Sequence, residues 1–387
     1  MSAPILNPLA INLDSGGISL RLSPPEFAQS LALLRAEWMR LGIKEYIECN
    51  ALGTPATPSI HLRLSNELAR QWMPDFDTLN LATTLHFDVL HQDDDLLREI
   101  WLTLLHSPLL IEFPSAEELM AAVRMRHSIV CNSRRTCLNF HTSEIERPSD
   151  CWRYSEETGF VLTAGSPLIS SLRKACQPKL TGQLYSFSCS RATEYVILLA
   201  IAQEAQSNNP PLLRELQAQW ETQAVQAGRF RQAFVQEYGS VEQPLPIHYY
   251  VPGDRVWFRN PDAPSFDAKG YEGSWVFYLG GGLFTNFWKR DQPFTLLQKC
   301  IEIYHWRDST WLDAEGELQM DEGEVERRVA QTLADPEACT RIFARVHRLR
   351  DAQGIFGEGG CMDATREAPR WVLAPHCDMI EQMNDWP

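Results

Sequence analysis

The stretch LYSFSCSRATEYVILLAIAQEA, Leu184–Ala205, decides the architecture. Its opening LYSF is strand-like and stops at Ser188-Cys189. Beyond that point Ala192, Val196, Leu199 and their neighbours keep the chain apolar around almost the whole circumference of a helix, the pattern of a helix buried on all sides. Cys189 falls at the N-terminus of that helix. Unpaired backbone N–H groups and the positive end of the helix dipole favour a thiolate there, the form of cysteine that attacks an acyl carbon. A cysteine in front of a buried helix also serves as plain packing, so the flanking sequence has to separate the two readings.

Downstream, HYYVPGDRVWFRNPDAPSFDAKGYEGSWVFYLGGGLFTNFW (His248–Trp288) is dense in aromatic and β-branched residues and punctuated by PGD, NPD, KG and GGG, which reads as short antiparallel strands. The GGG run, Gly280–Gly282, lacks the context of a phosphate loop and reads as a hairpin turn. Upstream, FPSAEELMAAVRMRHSIVCNS predicts a helix with Ser115 as N-cap and Glu118 completing a capping box. His127 lies on that helix, as a packed histidine or a catalytic one. DCWRYSEETGFVL (Asp150–Leu162) predicts a hairpin, and SPLISSLRKACQ a further helix. Nearer the N-terminus, PPEFAQSLALLRAEWMRL carries Phe27, Leu31, Leu34, Trp38 and Leu41 at helical spacing; a strand-like IHLRLS and a helical DDDLLREIWLTLLHS follow. The C-terminal part returns to helical patterning from Gly323 to Gln353 and then becomes irregular.

Composition narrows the function classes. With 387 residues and 44% hydrophobic content the chain can bury a sizeable core, and its formal charge of −15 would repel a nucleic-acid backbone. No apolar run reaches the roughly 20 residues of a membrane span. The opening MSAPILNPLAINLDSGG lacks the pattern of a signal peptide, so a cytoplasmic protein without nucleic-acid or membrane partners is expected. Ten scattered cysteines form no CxxC pair; Cys361, His376 and Cys377 have the wrong spacing for a closed zinc site, and no metal is expected.

In order and spacing, LIEFPSAEELMAAVRMRHSIV, DCWRYSEETGFVL, LYSFSCSRATEYVILLAIAQ, GDRVWFRNPD and GYEGSWVFYLGGG resemble the spore-coat type of bacterial transglutaminase, over about Leu109 to Trp306. The PGD-strand and strand-Leu-Gly signatures are shared with a wider cysteine-peptidase group that includes cell-wall amidases. The resemblance implies an α+β, papain-like fold and no cofactor. It also implies acyl transfer from a protein glutamine donor, through a thioester on Cys189, to a lysine acceptor. It divides the chain into an N-terminal α/β accessory unit (1–107), a catalytic domain (108–310) and a helical extension (311–387).

The chain departs from the family where acid/base chemistry should be. Ser188 stands where the family has a glutamate before the nucleophile, Ser274 where it has a second glutamate, and Phe287 where it has a histidine. Serine and phenylalanine do not relay protons at neutral pH. Glu272, two residues before Ser274, is the candidate base by strand alternation, or else a surface carboxylate. Asn286 is an orienting amide or an ordinary loop residue, and Ser274 is placed to hold a water. Trp275, Phe287, Trp288 and His248 are candidates for substrate contact, the aromatics serving equally as core. Three readings remain open: an acyltransferase, a deamidase or amidase on the same scaffold, and a homologue that kept the fold but lost the activity.

Overall fold

The all-round apolar pattern has its physical counterpart in a helix, Cys189–Asn208, whose residues from Ala192 to Ala202 are all buried. A computed structural model describes residues 16–54, 57–140, 146–224, 227–353 and 359–384 of the chain. Helices Ala116–Arg135, Leu168–Cys176 and Pro210–Thr222 pack around the Cys189 helix, and the strand Gly273–Gly280 closes the remaining side. Leu198, Leu199 and Ile201 are each at most 1% exposed. Truncating any of these to alanine costs about 2–5 kcal/mol, as for other filled core positions.

The strand Gly273–Gly280 lies inside a six-stranded antiparallel sheet. Its order runs Phe294–Thr295, Leu283–Phe284, Gly273–Gly280, Arg255–Arg259, Arg366–Pro369 and Val235–Tyr238. The PGD turn explains itself physically. Gly253 has φ +90°, and a Cβ there would lie 2.9 Å from the Cα of Arg126, so only glycine lets the turn touch the helix Ala116–Arg135. Asp254 then accepts the Val251 N–H at 2.7 Å and pairs with buried Arg126 at 2.7 Å. The three glycines Gly280–Gly282 all have positive φ, and they make the turn between two strands.

A second sheet carries the N-terminal region, in the order Ile47–Thr54, Thr57–Leu64, Gly17–Arg21, Leu110–Phe113. The helix Pro24–Leu41 buries Leu34, Trp38 and Leu41 against this region. The helix Asp93–Leu105 sends Glu99 to the glycine turn, accepting from Gly281 N at 3.0 Å and Tyr278 Oη at 3.0 Å. The hairpin expected at 150–162 forms between Trp152–Ser155 and Gly159–Leu162. The molecule is therefore of mixed α+β type.

Two local expectations change. Ser115 caps its helix, accepting from Glu118 N at 3.1 Å, but the Glu118 carboxylate does not return the bond. It is buried instead and accepts the N–H groups of Val372 and Leu373 at 2.6 and 3.0 Å. The irregular tail contributes a strand, Arg366–Pro369, seated between two others and buried along its length. Four residues are too few to show an alternation.

Candidate active site

Cys189 is the first residue of its helix, behind Ser188 in an extended conformation (φ −78°, ψ 156°) whose hydroxyl accepts from Arg191 N at 3.3 Å. The serine thus does for the helix what an N-cap does and carries no charge. Underneath the first turn lies Arg255 from the central sheet. Its guanidinium donates to Thr193 Oγ1 (2.7 Å) and Ser190 Oγ (3.1 Å), pairs with Glu367 (2.6 Å) and lies 3.8 Å over the Trp275 ring. Arg231 holds the other Glu367 oxygen at 2.5 Å. This buried network fixes where the helix starts and so where the sulfur sits.

The thiol opens on a cleft of about 390 Å³. Cys189, Ser274, Asn286 and Trp288 form part of its wall, and two helices, Leu296–Trp306 and Glu322–Leu333, supply much of the rest. Those helices bring Lys299, Glu302, Glu322 and Glu326. Lys299 is 3% exposed, reaches both Glu302 oxygens at 3.0 and 3.1 Å and lies 3.7 Å over the Phe294 ring. Tyr271 donates to Glu322 at 2.9 Å, and Lys289 pairs with Glu326.

Burial raises the Cys189 thiol above its ordinary pKa. Backbone N–H groups of Trp275 and Ser190 and the positive charges of Arg255 and Lys299 act in the opposite sense but do not prevail. Neutral thiol is therefore the resting form, against the expectation from the helix dipole. Among the described residues no carboxylate or imidazole is hydrogen-bonded to this sulfur.

Of the residues singled out from sequence, Cys189, Ser274, Asn286 and Trp288 are brought together on the cleft wall, and four are not. Glu272 is exposed in the bend before the strand, its carboxylate 3.5 Å from Gly270 N. Trp275, next to Ser274, points to the opposite face and stacks on Trp257, centroids 5.8 Å apart. Phe287 is 3% exposed and packs edge-on against Phe277. His248 faces His347, Nε2 to Nε2 at 3.1 Å, with Asp77 at 3.5 Å. Asn286 lines the cleft, yet its amide donates to Gln292 O and accepts from the N–H groups of Trp288 and Lys289, which ties it to its own loop. Sequence reasoning missed Arg255, Lys299 and the three glutamates of the cleft. The i, i+3 pairing of Lys299 with Glu302 was the available signal, and it also fits a solvated helix face.

A family model described as protein-glutamine gamma-glutamyltransferase matches residues 80–385, which takes in the Cys189 helix, the central sheet and the cleft helices. A search of curated proteins finds no match. Among the described residues no helix is long and apolar enough to cross a membrane.

Proposed function

Because the chain belongs to the protein-glutamine gamma-glutamyltransferase family, we propose that it transfers the acyl group of a protein glutamine to an amine through Cys189 on a papain-like core. The sulfur attacks the carboxamide carbon, the C–N bond breaks, and ammonia leaves with the proton given up by the thiol. A lysine amine then attacks the thioester carbonyl; the amide bond forms, and the sulfur regains a proton from the amine. The observation that carries this reading is the placement of Cys189 at a helix N-terminus on the cleft wall, where the Trp275 and Ser190 backbone N–H groups favour the thiolate against burial. Donors so placed serve a thiolate and the oxyanion of an acyl-transfer intermediate. With Ser274 in the sheet position and Glu272 turned to solvent, water in the cleft carries the protons, and turnover is slow at neutral pH.

A second reading has an observation of its own. The raised thiol pKa and the lack of a bonded acid or base at the sulfur, among the described residues, suit a protein that binds glutamine-bearing partners without turning them over. Mass spectrometry separates the readings. The chain is incubated with a glutamine peptide and a primary amine, beside Cys189→Ala. Amine incorporation with loss of ammonia, absent in the variant, supports transfer. A glutamine-to-glutamate change alone supports deamidation. An unchanged peptide together with a Cys189 inert to iodoacetamide removes the enzymatic reading.

A further inference from the structure

The helix Ala116–Arg135 places His127 and Cys131 one turn apart on one face, and the first residue of the helix Asp93–Leu105, Asp93, meets them there. The His127 Nε2 lies 3.4 Å from Asp93 Oδ1 and 3.7 Å from Cys131 Sγ. The three donor atoms all fall within 4.8 Å of one another. A tetrahedral ion with bonds of about 2.0–2.3 Å holds its N, O and S ligands roughly 3.3–3.6 Å apart. The two measured separations approach those values before any ion is present. None of the three residues lines the Cys189 cleft.

We propose that Asp93, His127 and Cys131 form a binding site for a zinc-class divalent ion that clips the start of one helix to the middle of the other. The donor set is one carboxylate, one imidazole and one thiolate, with the fourth position left to solvent. Mixed N, O and S donors at tetrahedral separations suit zinc, whereas calcium and magnesium take oxygen alone. Binding forms a metal–sulfur bond and releases the Cys131 proton to solvent, leaving two negative ligands against the dication. That matters because Arg134 and Arg135 add positive charge beside the site. His127 and Cys131 are half-buried and Asp93 is exposed, so the ion has an open approach from one side.

The test uses the full chain, freed of metal by a chelator and titrated with Co(II) and then Zn(II). One equivalent of cobalt should give a thiolate-to-cobalt band in the near ultraviolet, and one equivalent of zinc should bleach it and protect Cys131, read peptide by peptide, from iodoacetamide. Cys131→Ala should abolish the band. Asp93→Asn sits at an exposed position outside the core and should weaken zinc at least about tenfold, since even outer-shell changes at such sites cost that much. Absence of the band in the wild-type chain, its persistence in Cys131→Ala, or alkylation of Cys131 that zinc leaves unchanged would each overturn the assignment.

Discussion

Replacing Glu99 by glutamine isolates one buried charge at the joint between the helix Asp93–Leu105 and the Gly280–Gly282 turn. Glu99 is 0% exposed, and burial pushes its pKa from 4.5 to about 7 despite the opposing Gly281 N–H, the Tyr278 hydroxyl and the charge of Arg134. The sign follows from proton linkage. The folded state holds the proton up to about pH 7 and the unfolded chain only to about 4.5. This carboxyl therefore stabilises the fold fully below the unfolded value, and that stability is lost as pH rises through the folded one. At about 1.36 kcal/mol per unit, the loss between pH 5 and pH 8 comes to roughly 2.5 kcal/mol. The wild-type pH profile alone will not show it. Glu118, also pushed to about 7 by burial, adds a loss of the same sign. His106 and His347, both lowered to about 4 by burial, contribute stability that is present above 6.5 and lost as pH falls through 4. Over much of pH 4.5–6.5 the two kinds of group oppose each other.

The informative quantity is therefore the difference between the wild type and Glu99→Gln, measured by urea denaturation at several pH values from 5 to 8 at constant ionic strength. Glutamine keeps an oxygen for Tyr278 and Gly281 and removes the titration. The variant should gain on the wild type by about 2.5 kcal/mol across that range, with an unchanged m-value. A difference that stays flat from pH 5 to 8 would refute the reasoning. It would mean that Glu99 is already ionised in the fold at pH 5, or that water reaches the joint.

Iodoacetamide labelling of Cys189, resolved by peptide, should be slower at neutral pH than for a free thiol and should climb without a plateau into the alkaline range, as its raised pKa demands; a plateau near pH 7 contradicts this. Ser274→Glu, which returns a carboxylate to the cleft wall, should raise amine incorporation by on the order of 10²-fold or more and move its pH profile toward neutrality; unchanged activity in a variant that still labels at Cys189 counts against a missing base. Arg255→Met should cost about 3–5 kcal/mol, because it leaves Glu367 buried with Arg231 alone; chemical denaturation reads it. Gly253→Ala should cost about 2–4 kcal/mol, combining left-handed backbone strain with overpacking on Arg126; a change in stability below 1 kcal/mol, on the order of an ordinary surface substitution, would show that the turn moves aside.

Local periodicity made the scaffold legible, and its limits explain what stayed hidden. The Cys189 helix was readable because burial on all sides leaves a mark over twenty residues, and the 248–288 strands because aromatic and β-branched residues crowd between turn-forming ones. Arg366–Pro369 leaves no such mark, although it sits inside the sheet. The choice of Glu272 assumed that the strand reaches back two residues from Ser274; it begins at Gly273, so alternation has nothing to act on at Glu272. The same alternation bars Ser274 and Trp275 from sharing a face, so only one of that pair could have reached the cleft. Lys299 and the glutamates of the cleft come from helices up to about 140 residues beyond Cys189 in sequence, a juxtaposition that no spacing rule conveys. The proposed nucleophile shows why position does not settle chemistry. A helix N-terminus contributes about 0.3–1 kcal/mol to a charge beside it, while desolvating a charged group costs several times as much. At Cys189 the second effect is the larger, so the sulfur stands at a helix N-terminus and yet rests as a thiol.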